Sequence, residues 1–282
     1  MTVLPTGAEE LIDRALAEDI GPGDHTTLAT IPEGARGSAR LLVKQAGVLA
    51  GMELAEAIAH RFDPKLHLKA YLIDGAMVAP GDVAFHLNGP ERSILMVERV
   101  LLNFMQRLSG IATLTRRFVD AVDGTGCVIL DTRKTTPTLR ALEKWAVRIG
   151  GGANHRFGLY DMIMIKDNHH DMAGGIVHAI EAARAYLART GLDLPIEVEV
   201  RGLDELELVL RNGGVQRVML DNFSPLVLRT AVQLVSKRFE TEASGGITLE
   251  SVRAFAETGV DFISVGALTH SAPSLDLSLK AS

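Results

Sequence analysis

The sequence predicts an α/β protein: a compact mixed unit followed by a barrel of parallel strands with helices outside. Three observations predict it. From Gly126 onward six short apolar runs, CVILD, MIMIK, IEVEV, RVMLD, FETEAS and FISVG, alternate with patterns of helical period. Such alternation implies parallel strands joined by covering helices. Asp131, Lys166, Glu199, Asp221, Ser244 and Gly266 stand at the C-terminal ends of successive runs or one residue beyond. A barrel gathers such ends into one ring, whereas an open doubly wound sheet concentrates its chemistry at one switch point. The first third mixes short strands and helices without that regular alternation.

Thr6 and Glu9 have capping-box spacing, and Leu11, Ile12, Ala15 and Leu16 then form an apolar stripe, so an early helix is expected. GPGDHTT is rich in turn formers and reads as a loop. Residues 35–49 read as strand and MELAEAIAHRF as helix; Leu66 to Ile73 and Asp82 to Leu87 read as short strands around the Pro80-Gly81 turn. Pro90 then opens a long helix whose Ile94, Val97, Leu101, Phe104, Met105, Leu108 and Ile111 share a broad apolar face. Ser109-Gly110 predicts a bend or break within it. Between the later strands lie LRALEKWAVRI, VHAIEAARAYLART, LDELELVLRN, PLVLRTAVQLVSKR and LESVRAFAETG, with Gly213-Gly214 and Gly259 placed as helix stops.

Composition narrows the function. The 282 residues carry 35 acidic against 29 basic side chains, a net charge of −6, which argues against a partner bound through a nucleic-acid backbone. Local clusters can still hold small anions. The lone cysteine, Cys127, lies in an apolar run and reads as a buried strand residue. The acidic N-terminal stretch does not resemble a secretory signal, and no apolar run is long enough to span a membrane, so a cytoplasmic location is expected.

Three constellations carry chemistry. In DTRKTTPTLR, residues 131–140, Arg133 and Lys134 directly follow a strand, where a guanidinium can grip a carboxylate or phosphate bidentately. In EKWAVRIGGGANHRFG, residues 143–158, the triple glycine permits close approach to a neighbour or ligand before His155-Arg156. Lys166 extends this basic wall from the end of an apolar strand, a costly place for an ammonium without an anion. Glu199 and Asp221 face it from neighbouring strand ends, suited to Mg²⁺, to ribose hydroxyls or to a developing positive charge. Glu197 shares the strand face of Glu199; the strand end favours Glu199. Ser244-Gly245-Gly246 and Gly266-Ala267 follow consecutive late strands and leave backbone N–H groups open to a phosphate, with His270 as a further donor. A phosphoribosyl pyrophosphate donor with a polyanionic acceptor meets these conditions; the chemistry alone also admits a sugar-phosphate aldolase or isomerase. The doubled His169-His170 is not a metal site, because adjacent loop residues do not converge on one ion.

The stretches ERVLLNFMQRLSGIAT, DTRKTTPTLRALEKWAVRIGGGANHR, MIKDNH, EVEV, MLDN, EASGGI and ISVGALTHS, in that order, resemble the nicotinate-nucleotide pyrophosphorylase (carboxylating), or quinolinate phosphoribosyltransferase, family. The likeness runs from EDIGPGDHTT to LDLSLK, with Thr138 where glycine is frequent and Trp145 where tyrosine is frequent. The resemblance implies an incomplete (open) α/β barrel with a smaller N-terminal α/β sandwich domain, residues 1–112 joined by 271–282, and the barrel over 113–270. It implies a homodimer in which Arg99 reaches the quinolinate carboxylates of the opposite subunit. It further implies that Arg133, His155, Arg156 and Lys166 hold quinolinate, with Lys134 near the phosphoribosyl donor. Glu199 and Asp221 match the carboxylates near ribose and Mg²⁺-diphosphate, and Lys166, Glu199 and Asp221 are the expected catalytic set. Ser244, Gly245, Gly246 and Gly266 match the 5′-phosphate loops, with His270 close by. The implied reaction joins quinolinate to 5-phosphoribosyl 1-diphosphate and releases diphosphate and carbon dioxide, a step of NAD biosynthesis. Alternatives are a relative acting on nicotinate or another anionic acceptor, and a non-catalytic phosphate-binding homologue.

Overall fold

The computed structural model describes residues 4–282. Among them the elements run α1 (Ala8–Ile20), α2 (His25–Thr30), β1 (Arg36–Val43), β2 (Gly47–Val48), α3 (Met52–Phe62), β3 (His67–Ala70), β4 (Met77–Val78), β5 (Val83–Pro90) and α4 (Glu91–Ala121). Then follow β6 (Val128–Leu130), α5 (Arg140–Ile149), β7 (Ile163–Ile165), α6 (Asp167–Met172), α7 (Ile176–Thr190), β8 (Ile196–Val200) and α8 (Leu203–Asn212). The last are β9 (Arg217–Asp221), α9 (Pro225–Val235), β10 (Glu240–Ser244), α10 (Val252–Ala256), β11 (Phe262–Ser264), α11 (Ala267–His270) and β12 (Leu277–Ala281). Two compact units result: the chain up to Arg116 with Thr135–Gly151 and Leu268–Ser282, and Arg117–Lys134 with Gly152–Ala267.

In the first unit, among the described residues, four antiparallel strands pair in the order β12-β1-β5-β3, and β2 pairs with β4. Alternation along β1 turns Ala39, Leu41 and Val43 inward, and Leu41 lies opposite Leu279 on one side and Phe85 on the other, all buried. Three local expectations change here. Helix α1 starts after Gly7, in the left-handed region with φ 83° and no side-chain cap, so Thr6 lies outside the helix start. GPGDHTT is part helix, because Asp24 accepts the Thr27 N–H at 3.0 Å and caps α2. Pro90 closes β5 opposite Arg36 rather than opening α4.

Helix α4 passes through Ser109-Gly110 without a break for 31 residues. Close packing explains the pair. Ser109 Oγ accepts the Ala50 N–H at 2.9 Å and donates to the Ala50 carbonyl at 3.1 Å, while a Cβ at Gly110 would run into the Pro273 carbonyl. Gly150 likewise backs onto Ala112 and Thr115 of α4, so this part of the triple glycine serves a neighbour rather than a ligand.

Arg107 of α4 ties the unit's discontinuous segments together. Its guanidinium pairs with Glu143 at 2.8 Å, donates to the Ala272 carbonyl at 3.0 Å and also reaches the Thr269 carbonyl. The fully buried Glu143 accepts the Thr136 N–H at 3.0 Å and its hydroxyl at 2.8 Å. These bonds hold Thr135–Gly151 and Leu268–Ser282 in the first unit.

In the second unit, among the described residues, all six strands are parallel, in the order β6-β11-β10-β9-β8-β7. The first strand therefore lies beside the last, and the ladder is open only between β6 and β7: an incomplete barrel. Parallel register places Glu197 beside Arg217, Glu199 and Glu242 beside Met219, and Ser244 beside Asp221, so these residues share the inner face. Val198, Val218, Leu220, Ala243 and Ile263 alternate with them and are buried on the other face. No helix among the described residues is long and apolar enough to cross a membrane.

Candidate active site

The inner-face residues and the loop after β6 surround a cavity of about 320 Å³ in the second unit. Its walls include Thr132, Arg133, Lys134, His155, Arg156, Met164, Lys166, Met219, Glu242, Ser244 and Ser264. Five of the predicted basic residues thus meet at one end of the barrel, with Ser244 across from them. Met164 and Met219 supply apolar surface between charged groups, as an aromatic ring would need.

Local structure explains each position. The buried Asp131 accepts the His155 N–H at 2.9 Å and the Asn154 side-chain amide at 2.6 Å, which fixes the 154–156 segment against the end of β6. Arg156 donates from Nη1 to the Met162 carbonyl at 3.2 Å. Burial, and after it the charge of Arg133, pull Arg156 below the usual arginine range, with Glu197 and Asp161 opposing. Lys166 follows β7, and its Nζ lies 3.1 Å from Glu199 Oε2, linking the basic wall to the acidic side. The Lys166 N–H donates to His169 Nδ1 at 2.9 Å while His170 is buried, so the doubled histidine closes a helix start and fills a core.

Asp221 ends β9, and its Oδ2 accepts the Asn222 side-chain amide at 2.6 Å. Asn222 adopts φ 58° and donates its N–H to the Ser244 carbonyl at 2.8 Å. A Cβ at Gly245 would strike the Asn222 side chain, so glycine at φ 101° lets the loop after β10 pass this close. Gly246, at φ 60°, faces open space, and Gly266 precedes α11. Arg99 and His270 are not in the cavity wall: Arg99 lies exposed on α4, and His270 ends α11 with Nδ1 2.6 Å from Ser271 Oγ, both in the first unit.

Beneath the cavity lies a charged layer that was not singled out from the sequence. Glu197 and Glu242 are fully buried, and His155 Nε2 lies 3.0 Å from one and 3.3 Å from the other. Arg217 Nη1 is 3.1 Å from Glu242, and its guanidinium stacks 4.0 Å over the Phe262 ring. Glu197 and Arg217 also line a second cavity of about 690 Å³ at the N-terminal ends of the strands, so the layer is a floor between two spaces. Burial opposes a charged His155, but the adjacent Glu197 and Glu242 carboxylates outweigh it and raise its pKa to about 9. The Arg156 N–H donates to Nδ1 at 2.7 Å, which favours the Nε2–H form and works against the full rise. Glu197 is pushed up by burial and by Glu242; Glu242 is held down against burial by His155, Ser264 and Arg217. The spacing of His155, Glu197 and Glu242 is that of metal ligands, yet Arg217 already neutralises Glu242. Alternation could have found this layer, since Glu242 shares the face of Ser244 and Glu197 that of Glu199.

Sequence comparison matches residues 24–109 to the family described as quinolinate phosphoribosyl transferase, N-terminal domain, and residues 111–280 to its C-terminal domain. A chloroplastic nicotinate-nucleotide pyrophosphorylase [carboxylating] of Oryza sativa subsp. japonica is 48% identical over 285 residues, covering 96% of this chain and 76% of its own. A probable nicotinate-nucleotide pyrophosphorylase [carboxylating] of Bacillus subtilis is 44% identical over 271 residues, covering 96% and 92%. The crystal structure of NadC from Streptococcus pyogenes superposes with a TM-score of 0.94 at 39% identity, covering 100% of this chain and 99% of that one.

Proposed function

The chain belongs to the quinolinate phosphoribosyl transferase family, and from that premise we propose how its residues divide the work of the reaction. It is a decarboxylating phosphoribosyltransferase: quinolinate and 5-phosphoribosyl 1-diphosphate give nicotinate mononucleotide, diphosphate and carbon dioxide. The observation that carries the assignment of roles is the convergence of Arg133, Lys134, Arg156 and Lys166 on one cavity bounded by thioether surface.

Arg133, Arg156 and Lys166 hold the two carboxylates of quinolinate, and Lys134 meets the phosphoribosyl donor. Ser244, Gly245, Gly246 and Gly266 seat the 5′-phosphate, with His270 as a further donor. As the C1–O bond to diphosphate breaks, positive charge builds on the ribose carbon, and Glu199 and Asp221 stabilise it. The pyridine nitrogen then bonds to that carbon. Its positive charge takes up the electron pair left by the departing carboxylate, and a proton replaces carbon dioxide on the ring. Fixed cations and carboxylates accelerate these steps by positioning and electrostatics, without a covalent intermediate. The oxygen-only pair Glu199 and Asp221 suits a hard cation that keeps water and phosphate ligands, so these residues would hold Mg²⁺. When bound, Mg²⁺ neutralises the diphosphate. Arg99, exposed on α4, completes a neighbour's site in a homodimer.

Quinolinate-dependent release of carbon dioxide with 5-phosphoribosyl 1-diphosphate tests the substrate. Turnover should vanish on chelation and return with Mg²⁺. Nicotinate, with one carboxylate, should be a far poorer substrate; equal turnover of the two would overturn the assignment of the basic wall.

A further inference from the structure

Fixed cations repel one another when their ligand is absent. Arg133 and Arg156 flank one cavity, and the charge of Arg133 opposes that of Arg156 while Glu197 favours it. The layer beneath contacts this wall through His155. His155 turns both ring nitrogens to the protein: Nε2 to Glu197 at 3.0 Å and Glu242 at 3.3 Å, Nδ1 to the Arg156 N–H at 2.7 Å. The Arg156 backbone N–H is therefore bonded to an imidazole whose other nitrogen sits within ion-pair distance of two buried carboxylates. Asp131 holds the preceding peptide through the His155 N–H at 2.9 Å.

We propose that Glu197 and Glu242 are positioning residues for the acceptor subsite, setting the place of Arg156 through His155, and that His155 acts on quinolinate through this wall rather than through a ring nitrogen. The proposal rests on the reading of the basic wall as the quinolinate subsite. A displacement of about 1 Å at such a position costs about a hundredfold in rate or binding, so an uncharged amide at either carboxylate has a measurable effect. The effect is selective, because the contacts from the two carboxylates pass through the His155 ring to the Arg156 backbone.

Steady-state kinetics of Glu197→Gln and Glu242→Gln separate this from a general loss of structure. The KM for quinolinate should rise about tenfold or more in each, while the KM for 5-phosphoribosyl 1-diphosphate stays within about twofold. Equal shifts in both constants, or an unchanged quinolinate KM in both variants, would sink the proposal. Wild-type turnover of quinolinate is the control that distinguishes this failure from failure of the functional reading. A second measurement needs no variant. In protein labelled with ¹⁵N-histidine, the His155 ring nitrogens should keep their shifts when quinolinate is added, and a change of bonding at either nitrogen would show direct ligation instead.

Discussion

Lys166 shows how exposure and charge divide stability from activity. Its side chain is 46% exposed, so its pair with Glu199 contributes only about 0–1 kcal/mol to folding. Lys166→Ala should leave the thermal midpoint nearly unchanged and lower kcat/KM by about 100-fold or more; a parallel fall in both would identify a structural salt bridge. Cys127 is the opposite case, a residue with no part in the chemistry. Burial pushes its thiol up to about 12, so iodoacetamide at pH 8 should label it only after denaturation. His155 gives a pH dependence with a definite sign. Glu197 and Glu242 raise its folded pKa above the ordinary imidazole value, toward about 9 against the opposing Arg156 N–H, so its stabilisation is full below about pH 6.5 and is lost as pH rises through that interval. The stability gap between wild type and His155→Ala, measured by urea melts, should therefore narrow between pH 6.5 and 9.5.

Elements show what periodicity can and cannot carry. The six barrel strands were legible because each is a short apolar run followed by its own helix, a pattern that repeats regardless of long-range contacts. Ser109-Gly110 misled because a small pair in a helix has two physical causes, a weakened helix or a close neighbour, and only Pro273 and Ala50 decide between them. Gly110→Ala should therefore destabilise by about 1–3 kcal/mol through overpacking, although alanine favours helix by about 1 kcal/mol. Thr138 makes the converse point. Its departure from the frequent glycine was visible in sequence, and its φ of 69° supplies the reason, since a branched side chain is strained in the left-handed region. Thr138→Gly should gain roughly 0.5 kcal/mol, strain relief exceeding the added unfolded-state freedom. Denaturant midpoints read both changes. The charged floor was only half legible for another reason: alternation places Glu197, Arg217 and Glu242 on the inner face, but which strands are neighbours is set by long-range pairing.

For the whole molecule, the arrangement of charges matters more than their sum. A net charge of −6 accompanies a basic cavity because the acidic groups lie elsewhere or underneath it. Arg99 belongs to this scale: it is exposed on the first unit, and nothing in its own helix distinguishes it from any surface arginine. Its proposed role requires a second chain. Mixing Arg99→Ala subunits with Glu199→Ala subunits should restore up to about a quarter of the wild-type activity through the intact sites of heterodimers; demonstrated heterodimers without activity would refute the shared site. The first unit's sheet has one more consequence. Its edge strand β12, Leu277–Ala281, pairs with β1 from the opposite end of the chain. A ribosome therefore delivers the second unit complete while β1 still waits with an unpaired edge, and any nascent chain that stalls late would present that edge to chaperones or to other nascent chains.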